Sequence, residues 1–71
     1  MKELKTYNIE MTTWLSNGSL SYGFEDLKVI AESKREAVDM CRAKAGELFR
    51  TAKVNSTQPA PQDAQKGVYN V

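Results

Sequence analysis

The sequence predicts a small α+β domain of ββαβ form: an antiparallel hairpin with a bulge, one helix and a short third strand. Three observations carry this. Residues 5–15, "KTYNIEMTTWL", alternate apolar and polar side chains, as a half-buried strand does. An Asn17-Gly18 pair follows, and a second alternating run lies beyond it; Asn-Gly between such runs is a strong hairpin signal, because both turn residues need positive φ. Ser33 and Glu36 then stand three apart before a helical stripe, the spacing of a capping box.

In the first strand, Tyr7, Ile9, Met11 and Leu15 share one face with Thr13, and Asn8, Glu10, Thr12 and Trp14 share the other. With Asn17 and Gly18 at the turn centre, Leu15 faces Leu20, Thr13 faces Tyr22 and Met11 faces Phe24. The next step sets Ile9 against Asp26, a charge on the core face. One extra residue within "GFED", residues 23–26, repairs this: Ile9 then meets Leu27 and Tyr7 meets Val29. The expectation is therefore a β-bulge, with Gly23 as the bend. A loop at "GFED" between two shorter strands is the alternative.

In the helix, Ala37, Val38, Cys41 and Ala45 form a narrow apolar stripe, and Lys34, Arg35, Asp39, Arg42 and Lys44 lie on or near the wet side. Gly46 suits the left-handed position that ends a helix. "ELFRTAKVN" reads two ways. As a strand, Leu48, Ala52 and Val54 alternate with Phe49, Thr51 and Lys53. As a continued helix it extends the stripe, at about 1 kcal/mol for an interior Gly46. The strand is preferred, because an isolated hairpin is marginal without a third strand. The domain so read covers residues 1–55. Residues 56–71 are polar, carry both prolines and are expected to be disordered. The terminal "VYNV" is a loose end or a short peptide that adds to a sheet edge.

Composition narrows the function classes. The 71 residues include ten basic and nine acidic side chains. This near balance makes nucleic acid an improbable partner. An apolar run of about 18 residues, as a membrane span needs, is absent. "MKELKTYNIE" has no apolar leader segment and Cys41 is alone, which together point to a reducing cytoplasm and set aside the sequons "NGS" and "NST". Histidine is absent, so histidine bases, histidine metal ligands and histidine-activated nucleophiles are excluded, and one cysteine leaves no zinc site. No cofactor is expected, and no enzyme, since no acid, base and nucleophile converge. Cys41 reads as a small core hydrophobe. Glu25 and Asp26, adjacent on an alternating chain, point apart and form no catalytic dyad.

The residues expected to bind a partner are Trp14, Arg50 and Lys53. Trp14 lies on the polar face of the hairpin, and Trp and Arg are the residue types enriched at binding hot spots. Arg50 and Lys53 lie in the third strand, where they protect an edge or, with Trp14, offer an aromatic and basic surface to an acidic partner. A core drawn from residues 1–55 is small, so a partner or a homodimer would add stability.

At "AESKREAV" followed by "LFRTAKV" the chain resembles small bacteriophage early proteins of ββαβ form that inhibit the host bacterial RNA polymerase. That family has a hairpin, a helix start of form Ala-Glu-Ser/Thr-x-x-Glu-Ala-Val/Leu, and a strand of form Phe-x-x-x-basic-Val. Ala31, Glu32, Ser33, Glu36, Ala37 and Val38 match the first motif, and Phe49, Lys53 and Val54 the second. Several anti-CRISPR proteins have a similar strand-to-helix junction. In the inhibitors two basic residues of the last strand contact the enzyme. Lys53 stands at the first of these positions and Asn55 at the second. The resemblance implies a phage-encoded, non-enzymatic protein that docks on a host protein, the polymerase or a defence complex, and inhibits it by occlusion. A nucleic-acid-associated module and a structural subunit of a phage or bacterial assembly are the alternatives.

Overall fold

The computed structural model describes residues 3–16, 18 and 20–70. Two long strands, β1 (Lys5–Trp14) and β2 (Tyr22–Ala31), lead into helix α1 (Lys34–Ala45). A single 3-10 turn (Gly46–Leu48) then feeds β3 (Phe49–Pro59), and β4 (Gly67–Asn70) follows. The strands form one antiparallel sheet in the order β3-β1-β2-β4, with β1 and β2 at its centre. The class is α+β as expected, but the sheet has four strands, not three. Residues 56–59 continue β3 and residues 67–70 form β4, where disorder was expected from residue 56.

The helix lies on one sheet face. Tyr7, Ile9 and Met11 of β1, Leu27, Val29 and Ala31 of β2, and Ala37 and Cys41 of α1 form the buried core, with Met40, Phe49, Ala52, Val54 and Val68 packed at its margin. Each fully buried residue the size of Leu27 or Val29 stabilises the fold by about 1.5–3 kcal/mol. Ser33 caps the helix as predicted: the Glu36 N–H donates to Ser33 Oγ (3.1 Å), and the Glu36 carboxylate accepts from the Glu32 N–H (2.9 Å). Gly46 ends the helix at φ 62°, its N–H donating to the Arg42 carbonyl. The positive φ is open to glycine at little cost, and it turns the chain into β3 rather than into more helix.

The hairpin corrects the expected bulge. Ile9 pairs with Leu27 and Tyr7 with Val29 as predicted, but the same register continues unbroken to the turn. Trp14 lies opposite Tyr22, Thr13 opposite Gly23, Thr12 opposite Phe24 and Met11 opposite Glu25. The strands separate earlier than a two-residue turn allows, the Leu15 N–H donating to the Ser21 carbonyl (3.0 Å). Of the expected turn pair, Gly18 has φ 82° and Asn17 lies outside the described residues. A register one residue off flips every side chain to the other face. Tyr22 and Phe24 therefore leave the core for the opposite face, and Leu15 and Leu20, expected to meet on the core face, are 67% and 95% exposed.

The bulges fall instead in β3. Its register against β1 shifts between Thr12 and Thr13, where Arg50 is the extra residue, and between Asn8 and Ile9, where Asn55 is. The first shift lets Phe49, Ala52 and Val54 all reach the core margin.

Candidate docking face

The sheet face away from the helix is built of cross-strand rows, read from the pairings of β1 with β2 and β3. Trp14 and Tyr22 form the row nearest the hairpin turn. Thr51, Thr12 and Phe24 form the next, and Lys53, Glu10 and Asp26 the third. Ser56, Asn8 and Lys28 follow, with Tyr69 of β4 beside Lys28. Gln58, Thr6 and Ile30 complete the face.

Its two ends differ in cover. At the far end Thr6 and Ile30 are only 8% and 9% exposed, although they face away from the helix. The chain between β3 and β4, residues 60–66, crosses here, and Pro61 and Ala64 line a cleft of about 630 Å³ with Thr6, Ile30, Gln58 and Tyr69. This connection is pinned beside the helix start: the Lys66 ammonium lies 3.2 Å from Glu36 and 3.5 Å from Glu32. The Tyr69 hydroxyl donates to the Gln65 carbonyl (2.9 Å). The hydrogen bond to Glu36, ahead of the other influences, raises the Lys66 pKa.

At the hairpin end the face is open. The Trp14 and Tyr22 rings meet edge to face at 5.9 Å and 87°, and those of Tyr22 and Phe24 at 5.7 Å and 65°. Such geometry matches ring quadrupoles. The Arg50 guanidinium carbon lies 3.8 Å from the Tyr22 centroid and 5.3 Å from that of Trp14, within cation–π range. Its Nη1 donates to Thr12 Oγ1 (3.4 Å), and Thr12 and Thr51 share a hydroxyl hydrogen bond.

Of the residues predicted to bind, Trp14 and Arg50 are brought into contact, and Lys53 lies on the same face two rows away, opposite Glu10. Simple alternation put Arg50 in phase with Ala52 and Val54; the bulge delivers it to the open face. Tyr22 and Phe24 were missed as members of the site. Their even parity, shared with Trp14, was the available signal. The face is also less basic than expected. Glu10 and Asp26 stand directly opposite each other at its centre, a like-charge pairing that costs stability, and among the described residues neither joins an ion pair.

Chemistry elsewhere is sparse. Cys41 is fully buried, and that burial pushes its thiol pKa up, with the charge of Glu25 adding and that of Lys44 opposing. Among the described residues no group of three or more Cys, Asp or Glu side chains converges as a metal site, and no helix is long and apolar enough to cross a membrane. No protein-family model, curated protein or solved structure matches the chain.

Proposed function

We propose that this chain is a non-enzymatic binding module that docks on a protein partner through the hairpin end of its open sheet face and acts by occluding the partner's surface. The observation that carries this reading is the aromatic row of Trp14, Tyr22 and Phe24 with Arg50 stacked against it. Phe24 is 68% exposed, and neither the helix nor the 60–66 connection lies over it. Large aromatics left in the open beside a preoriented arginine are the composition of a hot spot. Lys53 then contributes at the rim, through charge and approach rate more than through affinity. The resemblance at residues 31–38 and 49–54 supports a phage protein acting in the host cytoplasm, with RNA polymerase or a defence complex as the target.

The test is capture from bacterial lysate on the tagged chain, with mass spectrometry of what is retained, repeated with Trp14→Ala. The expected result is one dominant host complex, bound about 2 kcal/mol more weakly by the variant. Unchanged affinity, with the fold intact, removes Trp14 from the site; recovery of the protein alone turns the reading toward a structural subunit. The same aromatic row favours one other occupant, a single strand of nucleic acid stacked on the rings. Binding of an oligonucleotide that falls steeply with salt would favour it, whereas the unneutralised Glu10 and Asp26 pair opposes a polyanion.

A further inference from the structure

We infer that the cleft between the open sheet face and the 60–66 connection binds a small zwitterion with an apolar body, of the class of a free hydrophobic amino acid. Its volume of about 630 Å³ falls in the range of small-molecule sites. The cleft lies apart from the aromatic row, with the row of Glu10 and Asp26 between them. Both ends of the described chain lead elsewhere. β4 enters the sheet at Gly67, opposite Ile30, and runs away from the cleft toward Leu27. Glu3 and Leu4, ahead of β1, line a separate hollow with Ala60 and Gln62.

One wall of the cleft is held in place at several points. The Ala64 N–H donates to the Pro61 carbonyl (3.0 Å), closing a turn that carries Asp63. Pro59 and Pro61 restrict the backbone on either side of residue 60. The Tyr69 hydroxyl donates to the Gln65 carbonyl, and its ring folds back over Gly67, where a Cβ would stand 3.3 Å from the hydroxyl oxygen. Lys66 on Glu32 and Glu36 fixes the far end. A ligand entering here orders little chain, so little of its affinity is lost to ordering.

Two charged side chains line the cleft, and they come from different elements. Lys28 stands on the sheet and Asp63 on the connection. Among the described residues neither forms an ion pair, with the other or with any third group. Ile30, Pro61, Ala64 and the Tyr69 ring supply apolar surface. A polyanion such as a nucleotide would meet the Asp63 carboxylate, and a polycation would meet Lys28. A zwitterion satisfies both. Its carboxylate accepts from the Lys28 ammonium, its own ammonium donates to Asp63, and its side chain lies on the apolar surface. Hydrogen bonds between charged groups are roughly twice as strong as neutral ones.

The probe is free phenylalanine, titrated to its solubility limit into the isotopically labelled full chain and followed by NMR amide shifts. Two controls accompany it: phenethylamine, which lacks the carboxylate, and N-acetylphenylalanine, which lacks the ammonium. Phenylalanine is expected to shift the amides of Lys28, Ile30, Ala64 and Tyr69, and each control to bind about tenfold more weakly. Lys28→Gln should weaken phenylalanine by the same factor and leave phenethylamine unchanged. Asp63→Asn should likewise weaken phenylalanine but not N-acetylphenylalanine. Both positions are exposed, and the spectrum of each variant without ligand checks that the fold is kept. Absence of shifts at the cleft amides overturns the inference. Equal affinity for all three compounds overturns it as well, because apolar contact alone would then account for binding. Shifts confined to Trp14, Tyr22 and Phe24 overturn it in favour of ring stacking on the docking face.

Discussion

The two ends of the open sheet face are made by the same two central strands, yet one has become core and the other has not. Ile30 and Phe24 stand on the same face of β2, at 9% and 68% exposure. The difference is the 60–66 connection, which lies with Ile30 along one cleft and does not reach Phe24. An apolar side chain on a sheet's outer face is thus assigned its role by chain arriving from far away in sequence. Where that chain arrives, the side chain stabilises the fold; where it does not, the side chain is available to a partner.

The most direct way to break this comparison is to truncate both residues. Ile30→Ala is expected to cost about 3 kcal/mol, as removal of a buried isoleucine does. Phe24→Ala should stay within about 0.5 kcal/mol, as surface substitutions do. Urea denaturation followed by circular dichroism measures both. Equal losses would mean that Phe24 is as much a part of the fold as Ile30.

Arg50 offers a finer division. It lies at the open end, yet it is held by the Tyr22 and Trp14 rings and by Thr12, so it serves the fold as well as any partner. Arg50→Lys keeps the charge but loses the planar stack. The expected loss is about 1 kcal/mol in stability, with a change in Trp14 fluorescence in the unbound chain. A variant with unaltered fluorescence and stability would show that the stack makes no net contribution, leaving Arg50 to act on a partner alone.

The same division explains what could be read in advance. Local patterns were legible: the alternation of Tyr7, Ile9, Leu27 and Val29, the Ser33 cap and the Gly46 stop all depend on neighbours in sequence. The hairpin end was not, because Asn17-Gly18 implied a two-residue turn. Keeping Ile9 opposite Leu27 then required a bulge in β2, and the actual β1–β2 pairing has none. Arg50 reaches the aromatic row through a bulge in β3 that alternation does not announce. β4 was illegible for another reason. Its order comes from Val68 at the core margin, from Lys66 on Glu32 and Glu36, and from the ladder to residues 27–30. All are contacts across roughly half the chain, and composition registers none of them. The expectation of a loose end at "VYNV" gives way to its alternative, addition to a sheet edge, which Gly67–Asn70 makes within its own chain, Val71 lying outside the described residues.

The smallest effect concerns the anchor of the cover itself. The hydrogen bond to Glu36 raises the Lys66 pKa in the folded state, so the ammonium form is favoured by folding. The contribution is therefore complete below the ordinary lysine value and fades as pH rises through the higher folded value. Lys66 is exposed, and exposed pairs are weak and screened by salt. Lys66→Gln should accordingly lower the melting temperature slightly at neutral pH and low salt. The gap from the unmodified chain should close in concentrated salt, and again in strongly alkaline buffer. Because other lysines and the tyrosines titrate in both proteins, the measured quantity is the difference between the two melting curves. A gap that persists in alkaline buffer would show that the lysine stem, packed over the helix start, holds the connection down rather than its charge, and that the cover over Ile30 does not depend on the ion pair.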